Sequence, residues 1–508
     1  MTSNADSIAK RSGVSILANA ARAFIGLLNG ILLARWLGPE SYGTFAFLTV
    51  TFLAVRQLTD MGSSNAFFTF LSGRKRSLDF ILFYWLWLLA QAMVLTALIL
   101  VVIPKDLFAT IWGDNQRLLV MLAFLATFMQ GSVWTAVSQM GESERLTIAV
   151  QAIATCIMIV HLVVLVNFFI FDYLTLPTLF IAISLEWLVG SVFLLYIYFT
   201  KSNKSLRRED NESFKSIFSE YCAYCIPFIP YAIVGFFHDF LDRWMLQTWS
   251  GSKEQAYFAL AQQISTLSML AIASILRIFW KEVSEAKENK DFVKLRLIYE
   301  TVTKMMFVIA TSVSLFMIPF ASDLILLTVG SAYLSGSDTL IILLLYPSYQ
   351  ALGQICGTMF LATGMIRINT IIGVCFMLAG LIVTYLLLAP SEYYIPGLNL
   401  ASKGLALKMV ILQFIQVNIM SIYIAHFYKW QFHFIHHVGI FLGCLLLGFT
   451  SKYFVSLMIN SEVNIIFEVA FSSIIYFGII FSLIYKFPSL VGLGEKSMLN
   501  IFLKQKTS

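Results

Sequence analysis

Long apolar runs, separated by short breaks of charge, glycine or proline, dominate the chain. Bounded in this way they cover residues 13–35, 43–71, 80–103, 116–140, 147–171, 176–199, 221–248, 255–280, 298–321, 337–363, 369–389, 403–428, 435–456 and 464–486. Each holds about 20 residues or more, the length at which a helix crosses the hydrocarbon of a bilayer. Strands of a transmembrane barrel would alternate apolar and polar positions over about ten residues. Segments 80–103 and 148–170 are instead unbroken apolar runs. The pattern predicts an all-α polytopic membrane protein with about fourteen transmembrane helices.

An even number of spans places both termini on one side of the membrane. Loops on that side hold twenty-two Lys and Arg residues, against Lys105, Lys253, Lys403 and Lys452 on the other, with Arg35 and Arg117 at the borders. The positive-inside rule makes the richer side, and with it both termini, cytoplasmic. The first run carries Arg22 and no small-residue cleavage site, so it reads as a retained span. Composition agrees: of 508 residues 59% are hydrophobic and 12% charged, and the mean hydropathy of +0.82 excludes a water-soluble enzyme. The net charge of +6 sits in the loops, where topology explains it without a nucleic-acid partner. The six cysteines lie in or beside apolar segments, where a thiol behaves as a small hydrophobe.

The longest hydrophilic stretch, 201–220, mixes both charge signs with Ser and Asn and reads as a linker between halves. An internal echo supports the division. Leu33, Trp36 and Gly38 recur as Leu246, Trp249 and Gly251, and Phe45-Ala46 recurs as Phe258-Ala259, all at one offset of 213 residues. The expected organisation is an N-terminal lobe of six spans (1–200), a cytoplasmic linker (201–220), a C-terminal lobe of six spans (221–428), and two further spans with a cytoplasmic tail (429–508). Because six is even, both lobes enter the membrane in the same direction and are related by an axis along its normal.

Loops on the outer side are short, and the chain holds no P-loop, no G-x-S-x-G and no metal-spaced cluster. Cys222-x-x-Cys225 lacks a second ligand pair and reads as two small residues at the start of a helix. These features point to a non-enzyme without a cofactor. Ionisable residues inside the spans carry the information, since each costs at least about 2.5 kcal/mol at the bilayer centre. They are Arg22, Arg56, Asp60, His161, Glu186, Asp239, Asp242, Arg243, Arg277, Lys304 and Lys408. Arg56 with Asp60, and Asp239 with Arg243, are i,i+4 neighbours, which leaves local neutralisation open beside a functional role. Arg22 has no carboxylate in its own span and lies about 13 Å from the span end, beyond easy snorkelling. Arg277, Lys304 and Lys408 are close enough to span ends to snorkel.

A guanidinium presents a planar donor fork suited to phosphate. Arg22, Arg56, Arg277 and Arg243 are therefore the candidate contacts for a phosphorylated or otherwise anionic substrate. Asp60, Glu186, Asp239 and His161 are the candidates for binding a coupling proton or sodium ion.

The segment Arg35-Trp-Leu-Gly-Pro-Glu-Ser-Tyr-Gly43 resembles the R-x-L-G-P-x-x-Y-G signature of Wzx-type lipid-linked oligosaccharide flippases. Leu241-Asp-Arg243 through Tyr257-Phe-Ala-Leu-Ala261, and Ala362-Thr-Gly364 followed by Arg367, are similar to later segments of the same family. The resemblance implies the multidrug/oligosaccharidyl-lipid/polysaccharide exporter fold, with two six-helix lobes around a central cavity and two extra helices. It implies movement of an undecaprenyl-pyrophosphate-linked oligosaccharide, such as an O-antigen repeat unit, from the cytoplasmic to the periplasmic leaflet of a bacterial inner membrane. Arginines in the first, second and eighth spans of related lipid II flippases face the cavity, and Arg22, Arg56 and Arg277 match them by span. The implied partners are the lipid-linked glycan, membrane lipids and polysaccharide polymerase or chain-length machinery. No family motif places the coupling ion. A drug/cation antiporter of the same fold, and a membrane-embedded polymerase or ligase, are the competing readings.

The orientation is testable in a cysteine-free background. Single cysteines at Ser205 and Ser391 should react with an impermeant thiol reagent in intact cells only at position 391, and labelling at 205 would reverse the topology.

Overall fold

The structure, a computed structural model, describes residues 2–73, 76–201, 213–269, 272–431, 434–458 and 465–493, with the side chains of 2–17, 201, 272–274 and 277 left outside the description. Lipid offers no partner to a free peptide group, so a spanning chain must satisfy its backbone within each segment. Helices accordingly make up nearly all of the described chain: α1 (Thr2–Asp60), α2 (Ser63–Gly73), α3 (Leu78–Ala97), α4 (Lys105–Trp112), α5 (Arg117–Phe128), α6 (Trp134–Ser143), α7 (Thr147–Ile170), α8 (Leu176–Lys201), α9 (Phe214–Cys225) and α10 (Ile229–Ser265). There follow α11 (Ile272–Glu288), α12 (Phe292–Phe316), α13 (Ala321–Thr328), α14 (Ser337–Leu343), α15 (Tyr346–Ala362), α16 (Ile366–Leu388), α17 (Ala401–Tyr428), α18 (Phe434–Met458) and α19 (Ile465–Lys486). A π-helical turn, Met129–Val133, joins α5 to α6.

Among the described residues eleven helices are long and apolar enough to cross a membrane, and a pair bent by 42° before Tyr346 makes a twelfth crossing. Two of the eleven are double: α1 breaks at Gly38 (φ 72°, ψ 170°) and α10 at Gly251 (φ 83°, ψ 179°). With the arms counted separately the described residues hold up to fourteen passes, roughly the number the hydrophobic pattern predicts. The chain is a multi-pass integral membrane protein. Only glycine adopts these backbone angles without strain, and Pro39, with its preset φ, starts the second arm of α1. The two kinks fall at corresponding positions of the internal echo.

The chain divides into two compact units, Met1–Ala256 and Tyr257–Ser508. In the first unit the elbows at Gly38 and Gly251 pack together. A Cβ on Gly43 would stand 1.7 Å from the backbone oxygen of Ser252, so the chains meet there at closer range than any side chain permits. Thr44 Oγ1 and Ser252 Oγ share a hydrogen bond of 3.1 Å at the same place. Elsewhere α9 docks on α2 and α3. Arg76, whose side chain is 1% exposed, pairs with Glu220 at 2.6 Å and lies against the rings of Phe70 and Phe80.

Two expectations need local correction. The hydrophilic stretch 201–220 is a linker only in part: 202–212 lie outside the described residues, and from Phe214 the chain is helical because Ile217 and Tyr221 bury one face against the aromatic cluster of Phe67, Phe80 and Tyr84. The second apolar run is not one helix to residue 71. It stops at Asp60, Met61 and Gly62 take positive φ, and α2 starts anew.

In the second unit α11, α12, α15 and α17 share a core of Phe279, Met306, Ile355, Met359, Phe360 and Ile424. Polar ties hold the later helices to it: Tyr476 donates to the carbonyl of Ser312 at 3.0 Å, and Lys452 pairs with Asp323 at 2.8 Å.

Gly43→Ala should cost about 1–3 kcal/mol through overpacking, lowering the thermal unfolding midpoint of detergent-solubilised protein by several degrees. Gly73→Ala, where a Cβ meets nothing within 4 Å, should leave it near the wild-type value, and equal midpoints for both would contradict the elbow packing.

Candidate functional site

Arg56 lies on the second arm of α1, where it faces the π-helical turn. Its Nη2 donates to Thr135 Oγ1 at 3.2 Å. A Cβ on Gly131 would sit 3.1 Å from its Cδ and Nη1, so the missing side chain makes the seat for the guanidinium. Beside it, Gln57 lies where a Cβ on Gly235 would stand 2.3 Å from its Nε2. One turn along α6 from Thr135, Gln139 Oε1 is buried without a hydrogen-bond partner among the described residues.

Of the two roles the spacing leaves open for Arg56 and Asp60, local neutralisation does not form among the described residues. Asp60 instead caps α2, accepting the N–H groups of Gly62 and Ser64 and the hydroxyls of Ser63 and Ser64 at 2.9–3.2 Å. Carboxylates are good acceptors for the free N–H groups at a helix start, and the break at Met61–Gly62 supplies them one turn from Asp60. Arg56 makes no ion pair among the described residues.

Arg22 is shallower than its place in the first apolar run suggests. Asn29 Nδ2 donates to the carbonyl of Met158 at 3.3 Å, and Trp36 stacks on Phe169 at 4.5 Å. The first arm of α1 thus runs parallel to α7, and Arg22, seven residues before Asn29, lies near the first turn of α7. Its Nη2 donates to Asn19 Oδ1, and it is in electrostatic reach of Glu142 in the last turn of α6. On the α6 line Arg56 stands by Gly131 and Thr135 and Arg22 by Glu142, a separation of about 10–16 Å at 1.5 Å per residue. The structure therefore does not bring the two arginines onto one phosphate group.

Arg243 is held by partners within its own helix. It is 8% exposed, inside the elbow region. Its Nη1 donates to Gln255 Oε1 at 3.5 Å, its carbonyl accepts from the same amide, and Asp242, Asp239 and Tyr42 are its electrostatic neighbours. Asp239 is largely exposed and hydrogen-bonded to His238 Nδ1 at 3.0 Å.

His161 and Glu186 form a pair: His161 Nδ1 and Glu186 Oε2 are 2.8 Å apart, with side chains 15% and 8% exposed. They lie on α7 and α8, joined by a short turn at 171–175, at nearly equal distances from its centre. An antiparallel hairpin makes such residues level.

In the second unit Arg277 lies on α11, but its side chain is outside the description. Lys408 is 3% exposed on α17. Lys304 lines a cavity of about 30 Å³ with Tyr299, Thr303, Ser421, Trp430 and His437, room for roughly one water and too small for a lipid head group.

Sequence reasoning missed the partners rather than the charges. The turn-centred symmetry of His161 and Glu186 was present in the sequence. So was Asp60-x-x-Ser63-Ser64, an acidic residue followed by hydroxyls at a helix start. Gly131 and Thr135 as a seat for Arg56 had no sequence signal, because the contact crosses from one helix to another.

A sequence comparison with curated proteins finds no match. Among solved structures, the lipid II flippase MurJ in an inward closed conformation is similar over 92% of this chain and 98% of its own, with 14% identity and a TM-score of 0.69. An inward-facing multidrug-resistance transporter of the MATE family, in the MOP superfamily, is similar over 80% and 96%, with 18% identity and a TM-score of 0.59. A MOP superfamily transporter from Pyrococcus furiosus is similar over 83% and 95%, with 16% identity and a TM-score of 0.53. At these identities the likeness establishes the MOP fold. The sequence model of the polysaccharide biosynthesis protein family matches residues 8–279, more than half of the chain, and with the fold in agreement the chain belongs to that family.

Proposed function

We propose that the protein flips undecaprenyl-pyrophosphate-linked oligosaccharide, of the O-antigen or a similar repeat-unit class, from the cytoplasmic to the periplasmic leaflet by alternating access coupled to an ion gradient. It does so in a bacterial inner membrane, with both termini cytoplasmic and the lobes 1–200 and 221–428 as the moving parts. The observation that carries the reading is Arg56, a guanidinium seated by a glycine and a hydroxyl, and by no carboxylate among the described residues, inside a membrane-spanning unit. An uncompensated charge in a span is expensive, and a pyrophosphate supplies both the opposing charge and the acceptor oxygens. The buried acceptor Oε1 of Gln139 beside it suits a hydroxyl donor.

The separation of the arginines along α6 suits successive contacts with the head group. Arg22, near the helix end and balanced in part by Glu142, meets the head group early, and Arg56 holds it deeper. Arg277 remains the third contact. The prenyl tail stays in lipid.

The MOP fold also serves drug/cation antiport, which needs carboxylates free to meet a cation. Here Asp60 is committed to a helix cap and Glu186 to His161, while the deeper residue with no opposing charge is basic. A polymerase or ligase would need a larger extramembrane surface than the short outer loops provide. Polymerase and chain-length proteins are the expected neighbours downstream.

Surface glycan restored in a strain lacking the protein, with membrane levels checked by immunoblot, tests the reading. Arg56→Ala should lower it about tenfold or more, the scale of a lost charge-assisted hydrogen bond. Arg56→Lys should be intermediate, since the charge stays and the fork is lost. Arg22→Ala should do less damage than Arg56→Ala. Normal insertion and full surface glycan with Arg56→Ala would remove the substrate role.

A further inference from the structure

Of the four carboxylate and histidine groups that could bind a coupling ion, two are occupied by other tasks. Both oxygens of Asp60 accept hydrogen bonds at the start of α2, and Asp239, with a side chain 51% exposed, stands as an opposing charge to the buried Arg243. His161 and Glu186 remain. They meet midway along α7 and α8, 2.8 Å apart. Glu186 Oε2 faces the imidazole, whereas Oε1 is buried with no hydrogen-bond partner among the described residues. One turn further along α8, a Cβ on Gly190 would stand 2.4 Å from Ile157 Cδ1, so the helices close tightly there and shut the pair off on that side. Trp187, buried next to Glu186, packs edge-on against Trp134 at 5.2 Å.

Counting charge shows what such a pair does. With one proton between them the imidazole and the carboxylate are neutral overall, as a charge pair or as neutral His with neutral Glu. Without that proton they carry one uncompensated negative charge, and with a second one positive charge, both costly in hydrocarbon. Asp6, Lys10 and Arg11 of α1 are among the side chains outside the description; the other ionisable groups on the elements packed against the hairpin are Arg22, Arg35, Glu40, Tyr42, Arg56 and Asp60 of α1, Arg117 in the first turn of α5, and Glu142 in the last turn of α6. None of the latter makes an ion pair with either residue, and the π-helical turn beside α8 has no ionisable side chain.

The geometry points to His161–Glu186 as an intramembrane proton-binding site of the first unit, which takes up one proton from one side and releases it to the other in each transport cycle. No bond other than those to the proton is made or broken. A proton needs no ligands beyond the two groups that meet here. A hard metal cation takes its ligands from several oxygens. As a coupling site this rests on the transport reading above; as a proton site it does not.

Two measurements separate these levels. Infrared difference spectra of the purified protein between two pH values should show a carboxyl band that disappears in Glu186→Gln and shifts in His161→Asn, whether or not anything is transported. Dependence of surface-glycan restoration on the proton gradient should be lost in both variants while membrane levels stay normal. The exchanged pair, His161→Glu with Glu186→His, should regain the spectral band, which a failure of folding would not allow. A difference spectrum without a Glu186-dependent band overturns the proton site. Wild-type gradient dependence in both single variants, or a dependence on sodium that both abolish, overturns its coupling to a proton. A normal band in a protein that restores no glycan, even with both residues intact, would defeat the flippase reading and leave the proton site standing.

Discussion

Hydrocarbon has no hydrogen-bonding capacity, and that one property governs how this chain is built. It accounts for the continuity of the helices and for what happens where they break. At Met61–Gly62 the freed N–H groups are met at once by Asp60. Hydroxyls inside spans turn back on their own helices: Thr127 donates to the carbonyl of Ala123, Thr155 to that of Gln151 and Ser184 to that of Phe180. A carboxylate, an imidazole and a run of serines are all absorbed by this rule, each in a bond made inside the protein. Arg56 is absorbed least completely, with one hydroxyl for a five-donor group. The chemical selectivity argued for the protein rests on that imbalance between supply and demand.

Close helix contact is the second consequence. Lipid does not drive helices together as water does, so association leans on packing at small residues. Gly43, Gly190 and Gly235 each occupy a point where a side chain would collide with the opposing element. Gly131 makes the same absence serve a different end, holding a charged side chain instead of a neighbouring backbone.

The apolar runs made most of the architecture readable. About fourteen passes, the turns between them and the helical class follow from run length and from the ban on exposed peptide groups. The positions of the elbows were also visible, as Gly38-Pro39 and as the echo at Gly251. What sequence spacing misjudged was depth and partnership. Arg22 looked central because its apolar run starts near residue 13, yet the helix extends well before that, and its level is set by α7 and Glu142. Arg56 and Asp60 have the right spacing for a pair on an unbroken helix, and the break just after Asp60 gives the carboxylate stronger partners. Such outcomes depend on neighbours far away in the sequence, which a periodicity cannot encode.

The elbows at Gly38 and Gly251 belong to corresponding positions of a repeated sequence, yet they fit against each other and not against separate surfaces. Each copy is thus the other's template. Gly43 has no room for a side chain because Ser252 stands opposite, and Ser252 can stand there only while position 43 stays bare. If the echo records a duplication, the two copies could diverge freely along their lipid-facing sides but not here, where a change in one half demands a matching change in the other. Across distant relatives, residues 38–44 and 251–256 should therefore vary together.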